Sequence, residues 1–430
     1  MDSARQKDQE TSPLFSPLPI GRLTASGRLC KTATSETRSS EDGFVTDELL
    51  EFYEPMARAG TPMVVTGNLY VSVEGKSTYR MCGADNEDKV PGLARWADLV
   101  HSGGGIIFGQ INHCGRQVMA KGMGLESAVS ASDVQEKVMG TKPRPLTTAE
   151  VGGVIADYVN SARICQAAGF DGVQIHAGHG YLINQFLTPY TNRRTDAYGG
   201  SFVKRMRLLL EIYWGIRKTC GEDFCIIMKI NGADYLPGRQ GLSTAQLVTV
   251  AKILEGEGLD AVEVTVGHYE SGFPMIRGSF GDFFEGMIKE GLGDQLPWFR
   301  RMGVTYFRHP IAWCFDHLWP AEEGFNLEYA RKFKAALNIP VICVGGFINR
   351  ESMEKAIREG SCDAVSVARA MVADPFLYRH LREGVKGPQC TFCNACIARA
   401  GRLPLDCFEP DVRREKDAML KEDAYMKKKR

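Results

Sequence analysis

The chain has 430 residues, 44% of them hydrophobic and 24% charged, with a formal net charge of zero. It is too apolar for a disordered chain and too neutral for general attraction to nucleic acid or an anionic bilayer. It also has no apolar run near the roughly 18 residues that a membrane helix needs. The opening stretch, MDSARQKDQETSPLF, is polar and lacks the apolar core of a secretory signal, so a cytoplasmic setting is expected. There are thirteen cysteines. Several, such as Cys30, Cys225 and Cys343, sit inside apolar runs as small hydrophobes rather than in a secreted disulfide framework.

Residues 1–13 read as disordered. After them strand and helix alternate eight times, the pattern of a parallel sheet with crossover helices. Residues 28–34 make the first strand. Thr46 or Asp47 caps a helix to about residue 59, and the second strand covers 63–66. A helix over 91–101 leads to the third strand, 105–112, and then to a polar loop, 115–144. Thr147 with Glu150 three residues on is a capping-box pattern for a helix that Gly169 stops. The fourth strand starts at 172 and runs into His176. A helix from Ser201 to Gly221, a fifth strand over 224–230, a Ser243-capped helix and a sixth strand over 260–266 follow. There the regularity breaks. Residues 268–325 are rich in aromatics, including Tyr269, Phe273, Phe283, Phe284, Trp298 and Trp313. So long a stretch is not a structureless loop. It is expected to be a lid over the barrel mouth and part of a substrate pocket. A helix over 326–337, a strand over 341–345, a helix over 350–359, a strand over 364–368 and a helix over 374–383 complete the pattern.

Eight short apolar strands, each followed by a helix, predict an α/β fold of the (β/α)8 TIM-barrel type. A doubly wound sheet would call for a GxGxxG turn after the first strand, and none is present. The expected organisation is a disordered 1–13, a barrel over 14–387 with the 268–325 insertion after strand 6, and a cysteine-containing extension over 388–430.

The chemistry concentrates where the fourth strand ends, in GFDGVQIHAGHGYLINQFLTPYTNRRTDAYGG. His176 and His179, with Tyr181 two residues on, stand at the C-terminal mouth of a barrel strand, where catalytic groups are placed. Two imidazole N–H groups can grip an oxygen that gains negative charge, and a phenol beside them can deliver a proton. A zinc reading of the two histidines lacks a third ligand nearby. At the seventh and eighth strand ends, Gly345 and Gly346 let backbone amides approach a phosphate, and Arg369 offers a charged fork. Lys229 ends an apolar strand and needs a partner.

Taken whole, the stretch resembles the old yellow enzyme family of NADH:flavin oxidoreductases, nearest the 2,4-dienoyl-CoA reductase branch. The resemblance extends from about Leu14 to Gly387. It implies an FMN-dependent ene-reductase fed by NAD(P)H. It implies that Ser35, Gly67, Gln110, Lys229, Gly345, Gly346, Ala368 and Arg369 bind FMN, with Ala368 where the family carries glycine. It implies that His176 and His179 hold the activating group of a small alkene substrate, with Tyr181 as proton donor. In the branch a histidine follows the sixth strand. Here the segment is Gly267-His268-Tyr269-Glu270, so Tyr269 takes that position against the substrate. His113 and Arg116 read as supports behind the site.

The last cluster, Cys390, Cys393, Cys396 and Cys407, is spaced to ligate a metal or cluster. Each of two intervals is one residue shorter than in the iron–sulfur relatives, so a 4Fe–4S cluster, structural zinc and free thiols all remain open. Other readings of the whole chain are an amine-type or desaturating flavin dehydrogenase, a flavin-free lyase with Lys229 as Schiff-base nucleophile, and a flavin-binding electron carrier. A homo-oligomer is expected, with no nucleic acid and no membrane partner.

Overall fold

The computed structural model describes residues 12–429, apart from 119–123, 237 and 239. Its centre is a closed barrel of eight parallel strands. These are β1 (Leu29–Lys31), β2 (Met63–Tyr70), β3 (Ile106–Asn112), β4 (Gly172–Ala177), β5 (Cys225–Asn231), β6 (Ala261–Thr265), β7 (Val341–Val344) and β8 (Ala364–Val367). Strands adjacent in sequence are neighbours in the sheet, and β8 closes on β1 with Val365 opposite Leu29. The surrounding helices are α1 (Asp47–Arg58), α2 (Val90–Ser102), α3 (Thr148–Ala167), α4 (Phe202–Cys220) and α5 (Thr244–Gly256). The 268–325 segment contributes α6 (Gly281–Lys289) and α7 (Trp298–Leu318). They are followed by α8 (Leu327–Lys334), α9 (Arg350–Arg358), α10 (Leu377–Glu383) and α11 (Pro410–Lys429).

The helix starts are local chemistry. Thr46 Oγ1 accepts the Leu49 amide, and Ser201 Oγ accepts that of Lys204. Thr147–Glu150 and Ser243–Gln246 are complete capping boxes. Barrel strands present alternate residues inward, and the interior is two layers of opposite character. The lower layer is apolar: Cys30, Met63, Val65, Phe108, Ile227 and Ile342 pack together over Leu18, Ile20 and Ala25. Those three belong to an antiparallel hairpin, Leu18–Ile20 with Leu23–Ala25, which plugs the barrel floor. The upper layer is polar, with Gln110, Gln174, Lys229, Glu263 and Ser366 all buried.

Several sequence expectations are corrected. Residues 12 and 13 are ordered: Ser12 Oγ donates to Glu354 Oε1 at 2.6 Å and Pro13 opens a short turn. Residues 1–11 lie outside the described residues. β1 is shorter than 28–34. β2 runs on past Thr66 to Tyr70 with a register irregularity between Val65 and Asn68, so Gly67 lies inside the strand rather than at its end. The polar loop after β3 contains a two-stranded piece, Val129–Ser130 beside Arg144–Pro145.

In the insertion, α6 and α7 pack through Phe280, Phe283, Phe284, Ala312 and Trp319, with Ala398 of the cysteine segment joining them. α7 bends at Phe307, whose φ is −115° and ψ 22°. Pro310 explains the bend, since it cannot donate to the carbonyl four residues back.

Replacing Thr147 by alanine removes one half of the α3 capping box. The expected loss is about 1 kcal/mol in urea denaturation, with native far-UV dichroism.

Candidate active site

β4 delivers His176 and His179 to the barrel mouth. The Gly178 amide donates to His176 Nδ1 at 3.2 Å, which leaves the proton on Nε2. Among the described residues no acceptor takes that Nε2–H. His179 occupies the left-handed region with φ 56°. Its amide donates to Asn231 Oδ1 at 3.1 Å, and its Nε2 lies 2.9 Å from Thr265 Oγ1. The His176 ring meets His179 edge-on at 5.1 Å and Tyr181 at 4.9 Å. Gly180 makes the turn possible: φ is +79°, and a Cβ there would fall 2.3 Å from the ring Nε2 of His268. Tyr181 then places its hydroxyl 3.0 Å from that of Tyr269.

Burial sets the protonation states. It pushes the His176 imidazole well below the usual 6.5, with the charges of His179 and Lys229 adding to the effect. It pushes His179 down to about 3, Lys229 again contributing. It pushes the Tyr181 phenol well above 10, with Tyr269 and Cys114 acting in the same direction. The site therefore holds two neutral imidazoles and a protonated phenol at neutral pH. Tyr181 remains an acid throughout.

Beneath them lies a network that sequence reasoning only touched. Lys229 stands directly across β5–β6 from Glu263, with Nζ 3.0 Å from Glu263 Oε2. Lys229 also donates to Thr32 Oγ1 at 2.6 Å. Gln174 Nε2 donates to the same carboxylate at 2.9 Å, and Ser366 Oγ donates to its other oxygen. Gln110 Nε2 donates to Gln174 Oε1 at 2.5 Å. Burial opposes the Glu263 charge, but Lys229 and the hydroxyl donors outweigh it and hold the carboxyl below its usual range. Glu263, Gln174 and Thr32 were missed. A carboxylate inside the apolar run DAVEVTV is the signal that could have found Glu263. Asn231 was missed as well: besides the His179 amide it binds Asp234 Oδ1 at 2.7 Å and the Gly267 carbonyl at 2.9 Å, tying three strand ends together.

Two adjoining cavities open at the mouth. The larger, about 1,210 Å³, is bounded by Ser35, Asn68, His179, Tyr181 and Tyr269 on the barrel side. Across from them stand Phe283 and Met287 of α6 and Ile397 of the cysteine segment. The smaller, about 400 Å³, lies over the ends of β7 and β8 between Gly346, Ala368 and Arg369. Met275 borders both. Arg369 uses one guanidinium nitrogen on the Arg277 carbonyl, at 2.7 Å, and on Asn394 Oδ1. Gly345 lies outside the lining of the smaller cavity, against the backbone of Phe325 and Asn326. Gly67 is packed too tightly for any side chain, since a Cβ would lie 1.8 Å from Glu36 Oε2. Its smallness serves the buried Lys31–Glu36–Tyr53 cluster. Arg116 forms a buried ion pair with Glu270, and His113 is fully enclosed behind it.

A flavin mononucleotide fits these residues. Arg369 and Gly346 border a cavity that would take its phosphate end, and Met275 borders both this cavity and the larger one. There Asn68 Oδ1 is buried without a partner, as a group awaiting a ligand donor would be. The cysteine segment is less defined. Cys390, Cys393, Cys396 and Cys407 lie near one another, and burial pushes Cys396 up to about 12 and Cys407 up to about 11. Phe392 and Asn394 between them have φ near 60°. Among the described residues no three His, Cys, Asp or Glu side chains converge as a ligand set, so no step is assigned to a metal or cluster there.

The NADH:flavin oxidoreductase / NADH oxidase family model matches residues 13–283. A dihydrouridine synthase model matches residues 321–422. Over 391 residues the chain is 32% identical to an NADH oxidase of Thermoanaerobacter brockii, covering 89% of this chain and 53% of the relative. It is also 32% identical to a 4,4'-dithiodibutanoate disulfide reductase of Rhodococcus erythropolis, covering 90% and 93%. Among solved structures, 2-naphthoyl-CoA reductase in complex with 2-naphthoyl-CoA superposes with a TM-score of 0.78 at 26% identity, covering 94% of this chain and 58% of that one. The chain belongs to the NADH:flavin oxidoreductase / NADH oxidase family. It spans about half the length of the NADH oxidase relative. No described helix is long and apolar enough to cross a membrane.

Four histidines around the barrel mouth give a pH signature. Burial pushes His113 down to about 4, His179 and His268 to about 3, and His176 well below 6.5. Below 6.5 the unfolded chain binds protons that the folded chain does not. Stability is therefore full above that pH and falls as pH drops toward about 4, by about 1.4 kcal/mol per pH unit per histidine. Calorimetry should show a lower Tm at pH 5 than at pH 7.5.

Glu263→Leu leaves the Lys229 ammonium buried without its carboxylate. The expected loss is about 3–5 kcal/mol, and Lys229→Met in the same chain should restore much of it. Urea titration of the two single variants and the pair measures the coupling.

Proposed function

We propose that the chain binds FMN across the two adjoining cavities and reduces an activated C=C bond of a bulky apolar enone or enoyl-type compound, with NAD(P)H as the electron source. The observation that supports this most directly is the grouping at the end of β4. There a neutral His176 with a free Nε2–H, a neutral His179 and a Tyr181 that is protonated at neutral pH are in ring contact beside a large apolar cavity. Reduced FMN supplies the hydride.

The residues do the rest. His176 and His179 hold the carbonyl or equivalent group of the substrate and stabilise the negative charge that develops on it, each effect being worth about 2–4 kcal/mol. Because both rings are neutral, they donate hydrogen bonds without giving up a proton. Tyr181 gives its proton to the α-carbon, and the Tyr269 hydroxyl at 3.0 Å can replace it. Ser35, Asn68, Gln110 and Lys229 would hold the ring system, with Lys229 supplying positive charge to its reduced form, and Gly345, Gly346, Ala368 and Arg369 would hold the phosphate. The cavity wall of Phe283, Met287 and Ile397 favours a bulky apolar substrate. Lys229 is committed to Glu263 and Thr32, contacts that a Schiff-base nucleophile would have to give up.

Tyr181→Phe tests the assignment. The variant should still show the flavin band near about 450 nm and lose it on adding NADH, while alkene reduction falls by about 10²–10⁴-fold. A colourless protein that takes up no FMN would remove the proposal. A 4Fe–4S cluster on Cys390, Cys393, Cys396 and Cys407 is a separate proposal, and iron and sulfide assays on anaerobically purified protein decide it.

A further inference from the structure

The outward face of α7 is unlike the surface of a monomer. Trp298 is 73% exposed, Tyr306 74% and Trp313 62%, with Met302 at 50%. Trp298, Met302 and Tyr306 fall at spacings of four, one stripe of the segment before the bend at Phe307, and Trp313 follows beyond the bend. Phe299 and Phe307 flank it, also more than half exposed. Together these six side chains leave on the order of 800 Å² of apolar surface in one place. The largest patch on a typical monomer is roughly 300–600 Å², whereas one side of a standard protein–protein interface is about 800 Å².

The chemistry says what covers it. Trp, Tyr, Phe, Met and Arg are the residues enriched at the centres of protein interfaces, and Lys, Asp and Glu are depleted there. α7 contains no lysine. Of its arginines, Arg300 donates to the Val138 carbonyl at 3.0 Å and Arg308 pairs with Glu285 at 3.1 Å. Only Arg301 stands outward. A helix that lies on an anionic bilayer presents a row of free cations beside its apolar face, and α7 does not. Its stripe instead matches itself. When two copies lie antiparallel about a two-fold axis beside Tyr306, each Trp298 comes near the other copy's Trp313, Met302 comes near His309, and the two Tyr306 side chains meet at the axis. The helix dipoles then oppose, as a symmetric dimer of this kind requires.

We propose that α7 is the two-fold interface of a homodimer, formed by antiparallel packing of this stripe on a second copy of the chain. The contact braces α6, which packs on α7 and lines the substrate cavity.

The test uses the full chain. Light scattering on the wild-type protein at micromolar concentration should give twice the 47.5 kDa chain mass. Tyr306→Glu with Trp313→Glu should give a monomer with unchanged far-UV dichroism. In a Cys314→Ser background, which removes the exposed thiol of α7, Tyr306→Cys should form a disulfide-linked dimer on mild oxidation, and Cys314→Ser alone should not. The proposal is overturned by a monomeric wild type, by a dimer that survives the double glutamate variant, or by failure of Tyr306→Cys to cross-link. Co-sedimentation of a monomer with phosphatidylserine vesicles, abolished by the same glutamates, would overturn it in favour of a membrane.

Discussion

The buried ion pair between Lys229 and Glu263 is the contact on which the polar half of the barrel depends. Removing two charges from water costs several kcal/mol per ion, and their attraction recovers this only when the remaining lone pairs and protons are also satisfied. Here they are. Glu263 receives Lys229, Gln174 and Ser366, and Lys229 also donates to Thr32. The donors come from β4, β5 and β8, and Lys229 in turn reaches Thr32 at the end of β1, so one carboxylate on β6 ties four other strands together. His176 is the register neighbour of Lys229 across β4–β5. A fixed positive charge so close discourages a second one, which is part of why both imidazoles stay neutral. A polar layer that binds charge internally also leaves the His176 Nε2–H without an acceptor among the described residues.

The barrel was readable from the chain because its determinants are local. Each strand is a short apolar run bounded by turn residues, and Thr46, Thr147, Ser201 and Ser243 announce their helices by a side chain reaching one turn ahead. The two histidines and Tyr181 were readable for the same reason, being packed into six residues. Glu263, Gln174 and Asn231 were not, since each is defined by a residue on another strand and by which strand faces which. Gly67 shows the limit most clearly. Its position near the mouth suggested a ligand, whereas the atom it makes room for is Glu36 Oε2. The floor hairpin was hidden too, because three-residue strands carry no periodicity to detect.

The cysteine segment is more than an appendage. Its backbone is stitched to the loop after β1, with the Gly401 amide on Thr37 Oγ1 at 3.1 Å and the Leu405 amide on the Glu36 carbonyl at 2.8 Å. Arg399 reaches Glu290 just past α6. Ile397, Ala398 and Gly401 consequently form one wall of the large cavity, opposite Tyr181. The pocket is assembled from strand ends, the loops after β2 and β3, the insertion and the tail. The strand ends and the loops supply the polar groups, and the insertion and tail supply apolar walls.

That division has a consequence for the acid. A phenol held well above its usual pKa is a poor donor in water, yet it is poised here to transfer a proton because the alternative bases around it are weaker still. His176 and His179 cannot accept at neutral pH, and Tyr269, its hydrogen-bonded neighbour, is pushed up by the same burial. In the proposed alkene reduction the α-carbon of the substrate would be the base that Tyr181 meets, and apolar walls that raise the phenol pKa and keep out water would favour Tyr181 over solvent as its proton source.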